Sequence, residues 1–347
     1  MTHEQWQVLL DVISGKTLSP FPVGFVIDSP WLPGWAGIST LDYFTSDDCW
    51  FEANKKAVLT FPDVMFLPGF WSEFGMCTEP SAFGAKCTFH RGELPFADKI
   101  IHQLDDIDCL TVPNPETDGL APFMLNRLRL SRKRIEALGY GIRFAVARGP
   151  LNIASFLMGT TEFLIALRTD PEKIHKLLDI ITDYTLRWLK LQKETIDSID
   201  GVFILDDIVG FCGEPDFRQF AAPYLKRIFS SLDVRVKFFH NDADGRSCAQ
   251  HLPALGVNLF NFSFLHSLEE MKQWTNNEVT LLGNIPPRDV LSLGTSEQVR
   301  QSVFQAMGSV RDKSRIVFSC GGGMPDGVST ANLRAFIETV SERKRNI

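Results

Sequence analysis

No uninterrupted apolar run in this 347-residue chain approaches the roughly 20 residues that a membrane-crossing helix requires. A membrane partner is therefore not expected. Basic residues are in the minority, 35 Lys and Arg against 42 Asp and Glu for a net charge of -7, so there is no electrostatic footprint for nucleic acid or an anionic surface. Cysteines number seven, and none has the C-x-x-C spacing of a zinc knuckle or the density of a disulfide scaffold. That usage points to a reducing, cytoplasmic setting. The N-terminal stretch mixes His3, Glu4 and Asp11 among its apolar positions, unlike the basic-then-apolar pattern of a secretory leader. A glycine-rich phosphate loop is also missing. The first strand runs into Asp28-Ser29-Pro30, which argues against an open, doubly wound nucleotide-binding sheet.

What the chain does have is 44% hydrophobic and 22% charged residues, enough for a large core and unlike a disordered segment. Barrels of about 250 residues or more fold as single domains, so one domain is expected over 1–347, with a helical extension at 1–21 and the barrel at 22–347. Strand patterns begin at Pro22, Val64, Ile142, Val202, Val236, Asn258, Val279 and Arg315. Helical patterns separate most of them, among them 46–60, 98–110, 120–138, 174–199, 215–232 and 295–310. This alternation predicts an α/β fold, a (β/α)8 TIM barrel with long loops over its C-terminal mouth. The Pro- and Gly-rich stretch 31–37 is read as an irregular lid or pocket wall carrying Trp31 and Trp35.

In such a barrel, chemistry gathers at the carboxyl ends of the strands. Arg148, Asp206, Asp207, His240, Asp242, Asn284 and Cys320 all fall there. His240 and Asp242 end an apolar strand two residues apart, hence on one face, where they can grip a single metal ion or proton. A second apolar strand delivers Cys320 ahead of Gly321, Gly322 and Gly323. The bland readings stand beside these: a His and an Asp that only anchor a loop, and a Cys that is a small core residue. Arg148 suits either a carboxylate clamp or a structural ion pair. Glu79, held extended before Pro80, is either a pocket acid or a solvated loop carboxylate. The arginine-rich face from Arg127 to Arg134 reads as solvated.

Several segments, in order and spacing, resemble the uroporphyrinogen decarboxylase superfamily, and within it the zinc-dependent, corrinoid-linked methyltransferases. They are Gly149-Pro150, Asp206-Asp207-Ile208-Val209-Gly210, Pro223-Tyr224-Leu225-Lys226-Arg227 and Gly283-Asn284-Ile285. The decarboxylases carry an arginine-containing RQAGR motif, and the corresponding region here, Trp31 to Gly37, has no arginine. The methyltransferases hold zinc with an H-x-C pair and a late C-G-x-G segment. His240 and Cys320 match that pattern, while Asp242 stands where the first cysteine would be.

The resemblance thus implies zinc on His240, Asp242 and Cys320 with one open position. A carboxylate in place of a thiolate makes the ion a harder Lewis acid, suited to an oxygen-bearing methyl donor. The expected reaction moves a methyl group from a small methoxy compound, aromatic among the options, to the cobalt of a corrinoid carried by a separate protein. Glu79, Arg148 and Asp207 are the expected catalytic side chains, and Trp31, Trp35, Phe70, Trp71 and Asn284 the expected substrate-binding set. The alternatives are transfer from a methylcorrinoid to coenzyme M or a folate, and a metal-free decarboxylase-like lyase. The superfamily also admits a homodimer.

Overall fold

The structure is a computed structural model and describes residues 1–342. Eight parallel strands form its centre: β1 (Gly24–Val26), β2 (Met65–Leu67), β3 (Phe144–Arg148), β4 (Gly201–Leu205), β5 (Val236–Asn241), β6 (Leu259–Phe262), β7 (Thr280–Ile285) and β8 (Ile316–Cys320). Strands β3 to β8 make one continuous sheet in sequence order, and β1 pairs with β2. Parallel bridges from Val23 to Phe318 and from Val26 to Gly323 join β1 to β8. No ladder joins β2 to β3 among the described residues. The edge of β3 is instead satisfied by an amide side chain: Gln192 accepts from the Val146 N–H at 3.0 Å and donates to the Val146 carbonyl at 2.9 Å. Each strand starts within a few residues of its expected position, and the arrangement fits a (β/α)8 barrel.

Alternation along the strands decides what faces the axis. Val26, Met65, Leu67, Phe144, Val146, Phe203, Leu205, Val236, Phe238, Leu259, Leu282 and Val317 form one buried cluster inside the barrel. Their neighbours one residue away, such as Phe25, Ala145, Ile204, Phe239, Phe260 and Phe318, belong to the larger core between strands and helices. A period of two in burial partners is what a strand buried on both faces requires. Helix α1 (His3–Ile13) closes the floor. Thr2 and Gln5 form a capping box at its start, and Trp6, Leu9 and Val12 on one helical face join the interior cluster.

Three expectations need correction. The stretch read as irregular contains a helix, Leu32–Ala36, opened by Pro33 near its first turn and stopped by Gly37 at φ 83°; proline at a helix start and glycine just past its end favour a short helix. The expected helix at 98–110 contracts to a 3-10 segment, Leu104–Cys109. Arg127 does not lie on a solvated face. It is buried, donates to Asp47 at 2.7 Å and to the Phe44 carbonyl, and so ties its own helix to two others. Two helices after β3, Pro150–Met158 and Thr160–Thr169, are absent from the sequence reading because their apolar residues form no clear stripe.

Candidate metal centre at the barrel mouth

The alternation that builds the core also delivers the polar side chains. Continuing the inward series to the strand ends and just beyond gives Asp28 after Val26, Arg148 after Val146, Asp207 after Leu205, His240 and Asp242 after Phe238, and Asn261 after Leu259. The register sets Leu205 beside His240 and His240 beside Asn261, so these groups meet at the carboxyl-terminal mouth.

Asp207, His240 and Asp242 each present one ligand atom, and the three atoms lie within 4.8 Å of one another. His240 Nε2 is 3.6 Å from Asp207 Oδ1 and 4.0 Å from Asp242 Oδ2. The backbone N–H of Asp242 donates to Asp207 Oδ1 at 3.0 Å. On the other side of the imidazole, Nδ1 lies 2.7 Å from Asn261 Oδ1. The Asn261 amide nitrogen donates to the carbonyls of Leu282 at 2.7 Å and Cys320 at 3.3 Å. Its oxygen is therefore the acceptor, Nδ1 carries the proton, and the lone pair of Nε2 faces the two carboxylates. An imidazole anchored in this way, beside two acids, is a donor set that suits zinc.

Two adjacent acids have opposite duties. Asp206 faces away from the axis, fully buried, and its two oxygens accept from the backbone N–H groups of Leu151 and Asn152 at 3.0 and 2.9 Å. It holds the N-terminus of helix Pro150–Met158, and a Cβ on Gly149 would come within 2.2 Å of it. Asp207, one residue on, turns inward. Burial first, and then the charge of Asp207, push Asp242 up to about 6.

Cys320 is not part of the three-residue group. It shares the parity of Ile316 and Phe318, packs in the outer core, and directs its thiol to the Gly322 carbonyl at 3.4 Å. Burial pushes that thiol up to about 12. Asp207 thus joins His240 and Asp242 in the group, where the resemblance implied Cys320. Glu79 is a buried partner of Arg148 rather than a solvated carboxylate. It accepts from the Arg148 backbone N–H at 2.9 Å and from its guanidinium at 3.3 Å.

Of the expected aromatic walls, only Trp71 joins the barrel interior, its ring 6.1 Å from Phe203. Trp31 stacks on Trp35 at 4.9 Å and donates to the Val328 carbonyl, while Trp35 donates to Thr330. Phe70 stacks on Phe51. All three pack the outer layer. Asn284 donates to the His266 carbonyl and so anchors the loop after β6.

Two acids absent from the expected site are present. Asp28 has an Oδ1 that is enclosed and without a hydrogen-bond partner. Burial, reinforced by Glu73, pushes its carboxyl well above the usual range. Glu73, itself buried and raised by burial, accepts from the Ser29 N–H at 2.8 Å. Extending the period of two from Val26 finds Asp28; no strand pattern reaches Glu73. A cleft of about 770 Å³ opens beside the mouth on the outer side of the loops after β4 and β5, between Glu214, Asp244, Arg246 and Trp274. The three metal-capable residues do not line it.

The family model described as uroporphyrinogen decarboxylase matches residues 36–343. Curated relatives include the uroporphyrinogen decarboxylase of Actinobacillus succinogenes, 23% identical over 278 residues and 76% of each chain. That of Chloroherpeton thalassium is 26% identical over 275 residues, again 76% of each. Among solved structures, a methyltransferase from Methanosarcina mazei superposes with a TM-score of 0.81 over 97% of this chain and 98% of that one, at 17% identity. A B12-independent methionine synthase from a Shewanella species gives 0.58 over 94% and 98%, at 12% identity. At these identities the two structures establish the fold.

Proposed function

The chain belongs to the uroporphyrinogen decarboxylase family, and on that premise we propose that it is a zinc-dependent methyltransferase moving a methyl group from a small methoxy compound to a corrinoid protein. The observation that carries this reading is the convergence of Asp207, His240 and Asp242 at one point of the mouth. The methyltransferase name of the Methanosarcina mazei neighbour supports it. Zinc bound there would polarise the ether oxygen and stabilise the charge that develops as the methyl leaves.

The chain's own residues do the rest. Asn261 orients the imidazole. Trp71 and Phe203 put apolar rings inside the barrel, Phe203 edge-on to the His240 imidazole, and Glu79 holds Arg148. Cys320 donates to the Gly322 carbonyl and would serve as a ligand only after giving up its proton and that bond. Phe211, Phe264 and Leu265 expose large apolar surface on the loops after β4 and β6, a rim suited to a docking protein that carries the corrinoid.

A metal-free decarboxylase-like reading is favoured by the names of the curated relatives. It needs a free cation for an acidic substrate, and Arg148 already pairs with Glu79. The test mixes zinc-loaded protein, a methoxyarene and cob(I)alamin. Loss of the cob(I)alamin absorption with release of the demethylated product supports methyl transfer. Carbon dioxide release from a porphyrinogen, with no methyl transfer, would establish the other reading.

A further inference from the structure

Resting on the methyl-transfer reading, we propose that the substrate carries a hydrogen-bond donor, a hydroxyl or an ammonium, beside its methoxy group and no carboxylate, and that Asp28 is the side chain that reads the donor. Asp28 continues the inward series of β1, and the charged groups that act on it are Glu73, Arg148, Asp242 and Asp207. It therefore faces the mouth. Its Oδ1 is enclosed and accepts no hydrogen bond from the described protein. A buried carboxyl oxygen left in that condition costs free energy that a donor on the ligand would recover.

The glycine run after β8 leaves the space. A Cβ on Gly323 would lie 3.6 Å from Asp28 Oδ2, and one on Gly322 would lie 3.0 Å from the Cβ of Asp242. A side chain on Gly322 would press on Asp242 and one on Gly323 would stand in contact with Asp28, so the two carboxyl groups border one side-chain-free wall. A ligand lying along that wall can reach the triad with one substituent and Asp28 with its neighbour.

Charge excludes the other substrate class. The acids acting on Asp28 are Glu73, Asp242 and Asp207, and the cation among its neighbours is Arg148, engaged by Glu79. One bound dication does not leave a surplus positive charge for a substrate carboxylate. Burying such an anion where Arg148 is already engaged leaves it without a counter-charge, which is strongly unfavourable. A hydroxyl or ammonium at the same place meets a waiting acceptor.

The experiment is calorimetric titration of zinc-loaded protein with four probes: methoxybenzene, ortho-methoxyphenol, ortho-methoxybenzylammonium and ortho-methoxybenzoate. The expected result is that one or both donor-bearing probes bind about tenfold or more tightly than methoxybenzene, with no detectable binding of the benzoate; the two donor arms decide between hydroxyl and ammonium. In Asp28→Leu the preference over methoxybenzene falls to about onefold. Asp28→Asn, which keeps the shape and an acceptor oxygen, retains part of it and serves if the leucine variant does not fold. Benzoate binding as tight as that of the phenol overturns the proposal. So does an unchanged preference in both variants, or no binding by any probe. Discrimination that follows Asp28 without methylation of cob(I)alamin would reject the reaction and keep the specificity.

Discussion

His240 Nδ1 sits 2.7 Å from Asn261 Oδ1, and this bond determines which nitrogen of the imidazole the mouth receives. Because the Asn261 amide is spent on two carbonyls, its oxygen accepts and the ring is held with Nε2 as the lone-pair donor. Groups that orient a metal-bound histidine typically contribute 10- to 100-fold to affinity. Asn261→Leu should therefore weaken zinc binding by about that factor in a chelator competition. It should also lower stability by about 1–3 kcal/mol, because the Leu282 and Cys320 carbonyls lose their donor. Unchanged zinc affinity in a folded variant would remove the orienting role.

The pH dependence follows from Asp242, whose carboxyl is pushed from its ordinary 3.8 to about 6. The folded protein then holds this proton more tightly than the unfolded chain does. The stabilisation is complete below the unfolded value and is lost as pH rises through about 6. Zinc competes with the same proton. The rise in melting temperature on adding zinc should accordingly grow between about pH 5 and pH 7, while the metal-free protein loses this contribution over that range. A zinc-induced shift that is flat across the range would contradict the assignment.

Asp206 offers the opposite outcome from its neighbour. Asp206→Ala removes the acceptor of two backbone N–H groups at the start of helix Pro150–Met158, a loss of about 1–3 kcal/mol. Zinc stoichiometry should be retained, since this carboxylate faces away from the mouth. Asp207→Ala should lose zinc with a smaller loss of stability. Parallel melts and metal analysis of the two variants separate the roles.

The barrel was legible in the sequence because each inner strand is a short apolar run ending in a polar cluster, and His240 and Asp242 were legible because they share a face. Asp207 was not among the expected ligands because the resemblance pointed to Cys320, which shares the parity of Ile316 and Phe318. The same rule, carried two residues beyond Val26, reaches Asp28. Glu73, Glu79 and the outer packing of Trp31, Trp35 and Phe70 depend on how a long loop folds back, which no local period encodes.

Phe264 and Leu265 lie on the loop after β6, and a Cβ on Gly321 would come within 2.5 Å of the Phe264 backbone nitrogen, so this exposed pair borders the site. Phe264→Asp and Leu265→Asp should slow methyl transfer to a protein-bound corrinoid by about tenfold or more, as loss of an apolar anchor does. Transfer to free cob(I)alamin should stay within about twofold of the unmutated rate, since that reaction needs no docking. Equal loss with both acceptors would show that the pair serves the pocket rather than a partner.

The central claim is that three side chains from β4 and β5 hold a catalytic cation, and metal content measured together with an anomalous difference map at the zinc edge tests it most directly. The account predicts about one zinc per chain, a peak within bonding distance of His240 Nε2 and both carboxylates, and loss of metal and methyl transfer in His240→Ala. Protein that carries no metal, yet transfers methyl groups equally well with and without the His240 imidazole, would contradict it.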